Sequence, residues 1–258
     1  IRIWDDQGNT CLARYSKHSS LVNQVVFSRD SQLVASSDFK HNLHIWESLT
    51  GKPIVQIERA NEYSRFRNYS PEGLNADFSS ILQEFAYFDG DMIVRYDLQQ
   101  RAVIWKAKIP FSRGQYSLLQ YSPNGKYIAC GNFSDSPGNH AVWEVDTGDL
   151  IHQNSSAGNL GYIGFHGFSP NNELVVSTSN QILILNHLTG ERLRSIDTPY
   201  ELLHTRTYRI HGHHLRAFRI EKTTSESRHI VINLQTGDVR TLPKNPYPGN
   251  YSPNSASF

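Results

Sequence analysis

Residues 18–57 form a unit of four short apolar runs separated by turn-forming residues, and this unit constrains the fold more than any other feature. The runs occupy residues 21–28, 33–39, 43–47 and 53–57. β-Branched and aromatic residues between turn formers, at intervals of a few residues, predict a four-stranded antiparallel meander. Such a meander has two faces to bury and cannot bury both alone, so neighbouring copies should exist.

A turn before each predicted last strand recurs along the chain. Its members are Gly8, Gly51, Gln100, Gly148, Gly190 and Gly237, at intervals of about 42 to 49 residues. Because a tight turn favours a residue that tolerates positive φ, glycine at five of these six places indicates a repeated hairpin. The chain therefore consists of repeats of one small β unit.

The unit at 18–57 closely resembles a WD40 repeat. Lys17-His18 stands at the family's opening Gly-His, Phe27-Ser28-Arg29-Asp30-Ser31 at its Phe-Ser-Pro-Asp-Gly turn, Trp46-Glu47 at its Trp-Asp pair and Thr50-Gly51 at its Thr-Gly. The resemblance implies one blade of a β-propeller. It also implies a hydrogen-bonded tetrad of a His, a Ser or Thr, an Asp and the Trp, for which His18, Asp38 and Trp46 are the candidates. Phe39-Lys40 replaces the family's usual Asp-Asp turn.

We therefore expect an all-β chain with a single propeller domain of four-stranded antiparallel blades over residues 1–258. The expected divisions are a partial blade at 1–15, complete blades at 16–59, 60–109, 110–156, 157–200 and 201–243, and the start of a further blade at 244–258. The two ends could join into one composite blade and close a six-bladed ring, which would satisfy both open strand edges. Alternatively, the chain is a fragment of a seven-bladed ring.

The second complete blade allows two registers. In one, Tyr69-Ser70-Pro71-Glu72-Gly73 is its first turn, residues 81–88 form the next strand and residues 74–80 are an extra segment. In the other, residues 74–78 are the inner strand and 62–73 a long connection. The later blades lose the Trp-Asp pair, with Trp143-Glu144, Leu185-Asn186 and Asn233-Leu234 in its place.

Composition and charge exclude several classes of protein. The formal net charge of the 258-residue chain is +1, so strong binding to polyanions does not follow from its charge. No apolar run approaches the roughly 20 residues of a membrane span. Cys11 and Cys130 lie in strand-like runs, which predicts buried free thiols, a reducing compartment and a cytoplasmic location. Because the chain opens in a strand at Ile1, we expect upstream domains in a longer parent chain.

Motifs for catalysis or cofactor binding are scarce. The sequence contains no Gly-x-Ser-x-Gly, His-Glu-x-x-His, phosphate loop or Cys-x-x-Cys. The densest histidine cluster, His211-Gly212-His213-His214, lacks a Cys, Asp or Glu at a spacing that would complete a zinc site, so we interpret it as a turn. We predict a chain that is not an enzyme and binds no metal or cofactor.

A rigid propeller presents its loops as a surface for partners. We predict a non-catalytic scaffold or sensor that binds other proteins on the loops between blades. Its candidate contacts are Phe39, Lys40 and His41, and the basic residues Arg206, Arg209 and Arg216. Nucleic acid is an unlikely partner because no aromatic stacking platform accompanies the basic residues.

Two further interpretations remain open. One is a propeller enzyme, or the gating domain of a larger enzyme, with a site in the central channel. The other starts from residues 26–36, which resemble WD40 arrays of fungal NACHT-type signalling NTPases. That resemblance implies a nucleotide-binding domain upstream of this chain.

Overall fold

The computed structural model describes residues 1–40, 42–58, 76–111, 116–133, 139–154, 164–178, 180–198, 209–220 and 227–242. Over these ranges the chain is all-β, with twenty-two strands and no helix. The predicted blade start at 244–258 and the candidate contacts His41 and Arg206 lie outside the described residues.

The strands form one two-stranded sheet and five four-stranded sheets, each antiparallel with its strands paired in chain order. The two-stranded sheet, here called the partial blade, is β1 (Arg2–Trp4) and β2 (Cys11–Arg14). The first blade is β3 (Val22–Phe27), β4 (Leu33–Asp38), β5 (Leu43–Glu47) and β6 (Pro53–Ile57). The second blade is β7 (Ala76–Phe78), β8 (Glu84–Asp89), β9 (Met92–Asp97) and β10 (Ala102–Lys108).

The remaining three blades repeat the pattern. The third blade is β11 (Tyr116–Tyr121), β12 (Tyr127–Phe133), β13 (His140–Glu144) and β14 (Leu150–Asn154). The fourth blade is β15 (Gly164–Phe168), β16 (Leu174–Ser177), β17 (Gln181–Leu185) and β18 (Arg192–Asp197). The fifth blade is β19 (Arg209–His211), β20 (His214–Ile220), β21 (Ser227–Asn233) and β22 (Val239–Thr241). Five four-stranded sheets in a ring form a β-propeller, which confirms the expected fold class.

The hydrophobic core is divided among the contacts between consecutive sheets. Each of the five core clusters takes its side chains from two neighbouring sheets, from the partial blade with the first blade to the fourth with the fifth. In the first of these contacts, the ring of Tyr15 stacks on Trp46, with centroids 4.7 Å apart. The first to fourth blades thus bury both faces against their neighbours, as a meander with two apolar faces requires.

The second blade adopts the second of the two possible registers. Its inner strand β7 ends at Phe78, which pairs with Phe85 of β8, and Ser79 N donates to Glu84 O to close the first turn. The expected strand at 81–88 therefore begins only at Glu84. The Ser79 hydroxyl accepts hydrogen bonds from the backbone N–H groups of Ile81 and Leu82, which holds these two residues in the turn.

In the third and fourth blades, the glycine of the turn before the last strand lies against the preceding blade. Gly148 has a φ of 77°, and a Cβ there would lie 3.0 Å from the indole of Trp105. Gly190 has a φ of 72°, and a Cβ there would overlap the imidazole of His152. Glycine is therefore required at these positions for two reasons: the backbone has a positive φ, and the neighbouring blade approaches too closely for a side chain.

Gln100 is not the equivalent of these glycines, so that prediction is wrong by one residue. Arg101, with a φ of 54°, occupies the position of positive φ in the second blade. Asp97 Oδ1 accepts from the backbone N–H groups of Gln99 and Gln100, and Arg101 follows these two residues as the left-handed residue of the turn.

Two smaller predictions are also corrected. In the fifth blade, Asn233 pairs with His214 as Glu47 pairs with Leu33, so Ile232 and not Asn233 stands in the place of the tryptophan. Cys130 is buried but Cys11 is exposed, because β2 is an outer strand with one face toward solvent. Both cysteines are free thiols.

Candidate functional site

The first blade contains a chain of buried polar side chains that joins three of its segments. Nε1–H of Trp46 on β5 donates to Oγ of Ser36 on β4 over 3.1 Å, and that Oγ lies 2.7 Å from Nε2 of His18. Nδ1 of His18 lies 3.2 Å from Oδ2 of Asp38. With the imidazole proton on Nδ1, every bond in the chain has one donor and one acceptor, so this network assigns the neutral tautomer of His18.

Asp38 anchors the turn between β4 and β5. Its Oδ1 accepts from the backbone N–H groups of Lys40 (2.9 Å) and Asn42 (3.1 Å), and its Oδ2 accepts from Nδ2 of Asn42 (3.1 Å). Burial opposes ionisation of this carboxyl, but the hydrogen bonds from Asn42, His18 and Lys40 outweigh burial and lower the pKa of Asp38. The single carboxylate of Asp38 therefore orders this turn, even though the next two residues, Phe39 and Lys40, supply no second carboxylate.

The network extends into the partial blade through two more aromatic rings. The imidazole of His44 stacks on that of His18 with centroids 4.0 Å apart, and Nδ1 of His44 lies 3.0 Å from the hydroxyl of Tyr15. Burial, and then repulsion from His18 when that ring is protonated, lower the pKa of His44 to about 4, against the opposing influence of Asp38. The pKa of His18 is also lowered, chiefly by burial.

Ser36, Tyr15 and His44 are functional members of this network that sequence reasoning did not name. Two of these three residues could have been predicted from the sequence, because side chains two residues apart on a strand share a face. Ser36 precedes the candidate Asp38 by two residues on β4, and His44 precedes Trp46 by two on β5. Tyr15 gives no such signal, since it contacts the site from another sheet.

Ser36, His18 and Asp38 are connected in the order of a nucleophile, a base and an orienting carboxylate. Ser36 is 0% exposed, however, and its hydroxyl also accepts the Trp46 indole N–H. A substrate carbonyl has no route to this hydroxyl in the folded chain. The arrangement can therefore order the blade but cannot attack a substrate.

An exposed apolar rim lies beside the ordered turn. Leu21 is 76% exposed and Phe39 is 44% exposed, and the backbone joins them, since Phe39 N donates to Leu21 O over 3.0 Å. Lys40 is exposed next to them. We call Leu21, Phe39 and Lys40 the rim. When a partner covers large apolar side chains in this position, their removal from water favours binding.

The basic candidates lie in another blade. Arg209 begins β19 and pairs across the hairpin with Arg216 of β20, whose side chain is exposed. The structure therefore brings Arg209 and Arg216 together in the fifth blade and does not join them to the rim, which belongs to the first. The hairpin between them turns at Gly212, whose φ is 55°, so the histidine cluster forms a turn.

Two further kinds of feature are absent from the described residues. They contain no group of three or more His, Cys, Asp and Glu side chains placed to hold a metal ion. Within the same ranges, no helix has the length and hydropathy that crossing a membrane requires.

Comparison with known proteins places these features in context. Residues 9–47 match the family model described as "WD domain, G-beta repeat", a span that runs from the partial blade to the end of β5. Similar proteins include SEC12-like protein 1 of Arabidopsis thaliana, 26% identical over 78% of this chain and 47% of the relative. They also include the WD repeat-containing protein 89 homolog of Dictyostelium discoideum, 21% identical over 75% of this chain and 51% of the relative.

A third relative is the Periodic tryptophan protein 2 homolog of Dictyostelium discoideum, 26% identical over 58% of this chain and 15% of the relative. The chain thus spans about half or less of the length of these relatives. The match to the family model and the WD-repeat relatives, together with the five-blade propeller, support the WD40-repeat family for this chain.

Proposed function

We propose that this chain is a non-catalytic module that binds other proteins on the loops between its blades, with the rim as its first contact surface. The observation that carries the proposal is the exposure of Leu21 and Phe39 directly beside the buried network of the first blade. Asp38 already holds the backbone of this turn in place. Little of that backbone would therefore have to become ordered when a partner binds. A preorganised apolar contact of this kind lowers the entropic cost of association.

The family supports the same class of function. A WD-repeat propeller is a fold typical of interaction scaffolds, and one relative of this chain is named as a WD repeat-containing protein. We extend the proposal to a sensor role within a longer cytoplasmic parent chain with domains upstream. Membership of a fungal NACHT-type signalling NTPase is the most specific form of this proposal, and it rests on residues 26–36 alone.

A channel enzyme is the alternative, and the inner strands argue against it where they are described. Oδ2 of Asp77 on β7 accepts from Tyr121 N over 2.8 Å, and Oε1 of Gln120 on β11 accepts from Phe168 N over 2.8 Å. Both side chains tie their blade to the next one. The carboxylate of Asp77 is therefore engaged in a structural hydrogen bond, and the amide of Gln120 is neither an acid nor a base.

Quantitative affinity capture from cell extract tests the proposal. The double variant Leu21→Ser, Phe39→Ser should lose a defined set of captured proteins that the unaltered chain retains, because it removes the apolar contact while leaving Asp38 and its hydrogen bonds intact. Leu188→Ser is the matched control, since Leu188 is 44% exposed in a turn of the fourth blade. Capture of the same proteins in the same yield by all three chains would contradict the proposal.

A further inference from the structure

The turn between the first two strands has a similar design in the first, third and fourth blades, and the second blade departs from it. In the first blade, Ser28 Oγ donates to Oδ1 of Asp30 over 2.6 Å, and in the third blade Ser122 Oγ donates to Oδ1 of Asn124 over 2.7 Å. The residue that follows the Asp or Asn has positive φ in three blades, as Ser31, Gly125 and Asn172.

In the second blade these two places are taken by Ile81 and Leu82, counted from the equivalent serine, Ser79. Neither side chain can accept the serine proton, and φ at Leu82 is not positive. Instead, Ile81 is 61% exposed and Leu82 is 39% exposed. The blade has therefore exchanged a polar, self-capping turn for one that presents two branched apolar side chains to solvent.

This apolar turn leans toward the third blade. Ser80 Oγ donates to Pro123 O over 2.9 Å, and Ile81 packs so closely on Gly125 that a Cβ there would overlap it. On the opposite side, a cleft of about 210 Å³ separates the turn from the equivalent turn of the first blade. A volume far above the roughly 10–15 Å³ that one water needs has room for a side chain.

The charges around the cleft leave one cation available. Glu84 in its wall is bound by Arg95 through two hydrogen bonds of 2.7 Å and 2.9 Å. Asp30 Oδ1 accepts from Ser28 Oγ and from Gln32 N within its own turn. The exposed Arg29 lines the cleft and forms no ion pair with any residue in the described part of the chain.

We propose that this cleft binds an extended segment of a partner protein, which inserts a branched apolar side chain beside Leu82 and places a carboxylate on Arg29. The apolar wall supplies burial for the inserted side chain. The guanidinium selects an acidic neighbour, since arginine matches the geometry of a carboxylate. This inference rests on the proposed protein-binding function and adds a second surface with a stated ligand chemistry.

A displayed library of random peptides, selected on the whole chain, tests the inference. We expect selected peptides to share a Leu, Ile or Val within a few positions of an Asp or Glu. Their Kd, measured by fluorescence anisotropy, should rise about ten-fold or more in Leu82→Asp and in Arg29→Glu. Replacing the peptide carboxylate with lysine should restore part of the affinity for the Arg29→Glu variant.

Two controls separate this inference from the rim proposal. Leu188→Asp, in a turn of the fourth blade, and Phe39→Ser, at the rim, should both leave peptide affinity unchanged. A failure of the rim variants in affinity capture leaves these peptide measurements intact, so the two proposals fail separately. Absence of any enriched motif, or an unchanged Kd in Arg29→Glu, would overturn the inference even if Leu82→Asp proved unstable.

Discussion

The indole N–H of Trp46 and the hydroxyl of Ser36 form a hydrogen bond of 3.1 Å at a site where both side chains are 0% exposed. The same hydroxyl lies 2.7 Å from Nε2 of His18, so a single serine joins β4 to β5 and to the loop before β3. Among the aligned positions of the other blades, Tyr87, Cys130, Val176 and Ala217 stand in place of Ser36. The first blade is therefore ordered by a polar network, and the others chiefly by packing.

Removal of the Ser36 hydroxyl should destabilise the chain. Ser36→Ala leaves the Trp46 N–H and His18 Nε2 buried without their partner, which costs about 1–3 kcal/mol for each unsatisfied group. We expect a loss of about 2 kcal/mol or more in the free energy of unfolding, measured by urea denaturation. Ser37→Ala is the control, because Ser37 points to the other face of β4 and bonds Asn23 in a partly exposed setting. Equal losses in the two variants would contradict the network.

The stability of the chain should fall with acid. Burial lowers the pKa of His140 to about 4 and that of His166 to about 3, and it also lowers the pKa values of His152 and His187. The third and fourth blades supply all four of these histidines. Both ring nitrogens of His140 are buried and have no hydrogen-bond partner among the described residues, so a charge on this imidazole would be costly.

The sign follows from proton binding. The pKa of histidine in the unfolded chain is about 6.5. Below that pH the unfolded chain binds protons that the folded histidines do not bind. The folded chain is therefore most stable above about pH 6.5, and its stability declines toward about pH 4. Each fully buried histidine contributes at most about 1.4 kcal/mol per pH unit to the slope. Urea denaturation between pH 7 and pH 5 should show this slope, and His140→Leu should reduce it. An unchanged slope in His140→Leu would show that His140 is not protected from protonation.

Two glycines with similar backbone angles should respond differently to alanine. Gly148 (φ 77°) faces the Trp105 indole, whereas Gly8 (φ 69°) has nothing within 4 Å of a Cβ. Alanine at either position carries the left-handed backbone cost of about 1–2 kcal/mol. Gly148→Ala should cost more, because it also forces the third blade away from the second. Thermal unfolding of the two variants measures the difference, and a larger loss in Gly8→Ala would contradict the packing of these turns.

The buried pair Glu84–Arg95 should be expensive to break. Arg95 donates two hydrogen bonds to Glu84 and a third to Val145 O in the next blade. Glu84→Gln leaves a buried guanidinium without its counter-charge, and such losses are about 3–5 kcal/mol. Lys106→Ala, which removes the exposed pair with Asp89, should cost no more than about 1 kcal/mol. Chemical denaturation compares them; similar, small losses would mean that water reaches Arg95.

The strand rhythm was predictable because it is local. Alternating apolar residues and turn formers fix strands such as β5 and β16 to the residue, and glycine marks the turns that need positive φ. The Gln100 error shows the limit of this rule. Two backbone N–H groups bond to Asp97 and set the geometry of that turn. Arg101 consequently has a positive φ, which an arginine in the sequence does not predict.

The features that the sequence did not reveal arise from contacts between sheets. Tyr15 joins the His44 network from the partial blade, and its role depends on how two sheets stack. The cleft beside Leu82 likewise lies between turns of two different blades, and Ile81 of the same turn packs on a glycine of the third blade. The residue pattern of one repeat does not predict which side chains contact it from a neighbouring sheet. The members of the tetrad lie within a single repeat, and most of them were therefore predictable.

Site-specific photo-crosslinking at the rim tests the central claim most directly. Phe39→p-benzoylphenylalanine, made in the full chain and irradiated in cell extract, should yield discrete crosslinked protein bands. The same substitution at Leu188, which has the same exposed fraction of 44%, should yield none of these bands. Bands from position 39 that Leu21→Ser abolishes would support docking on the rim. Identical band patterns from positions 39 and 188, or no band at position 39, would contradict it.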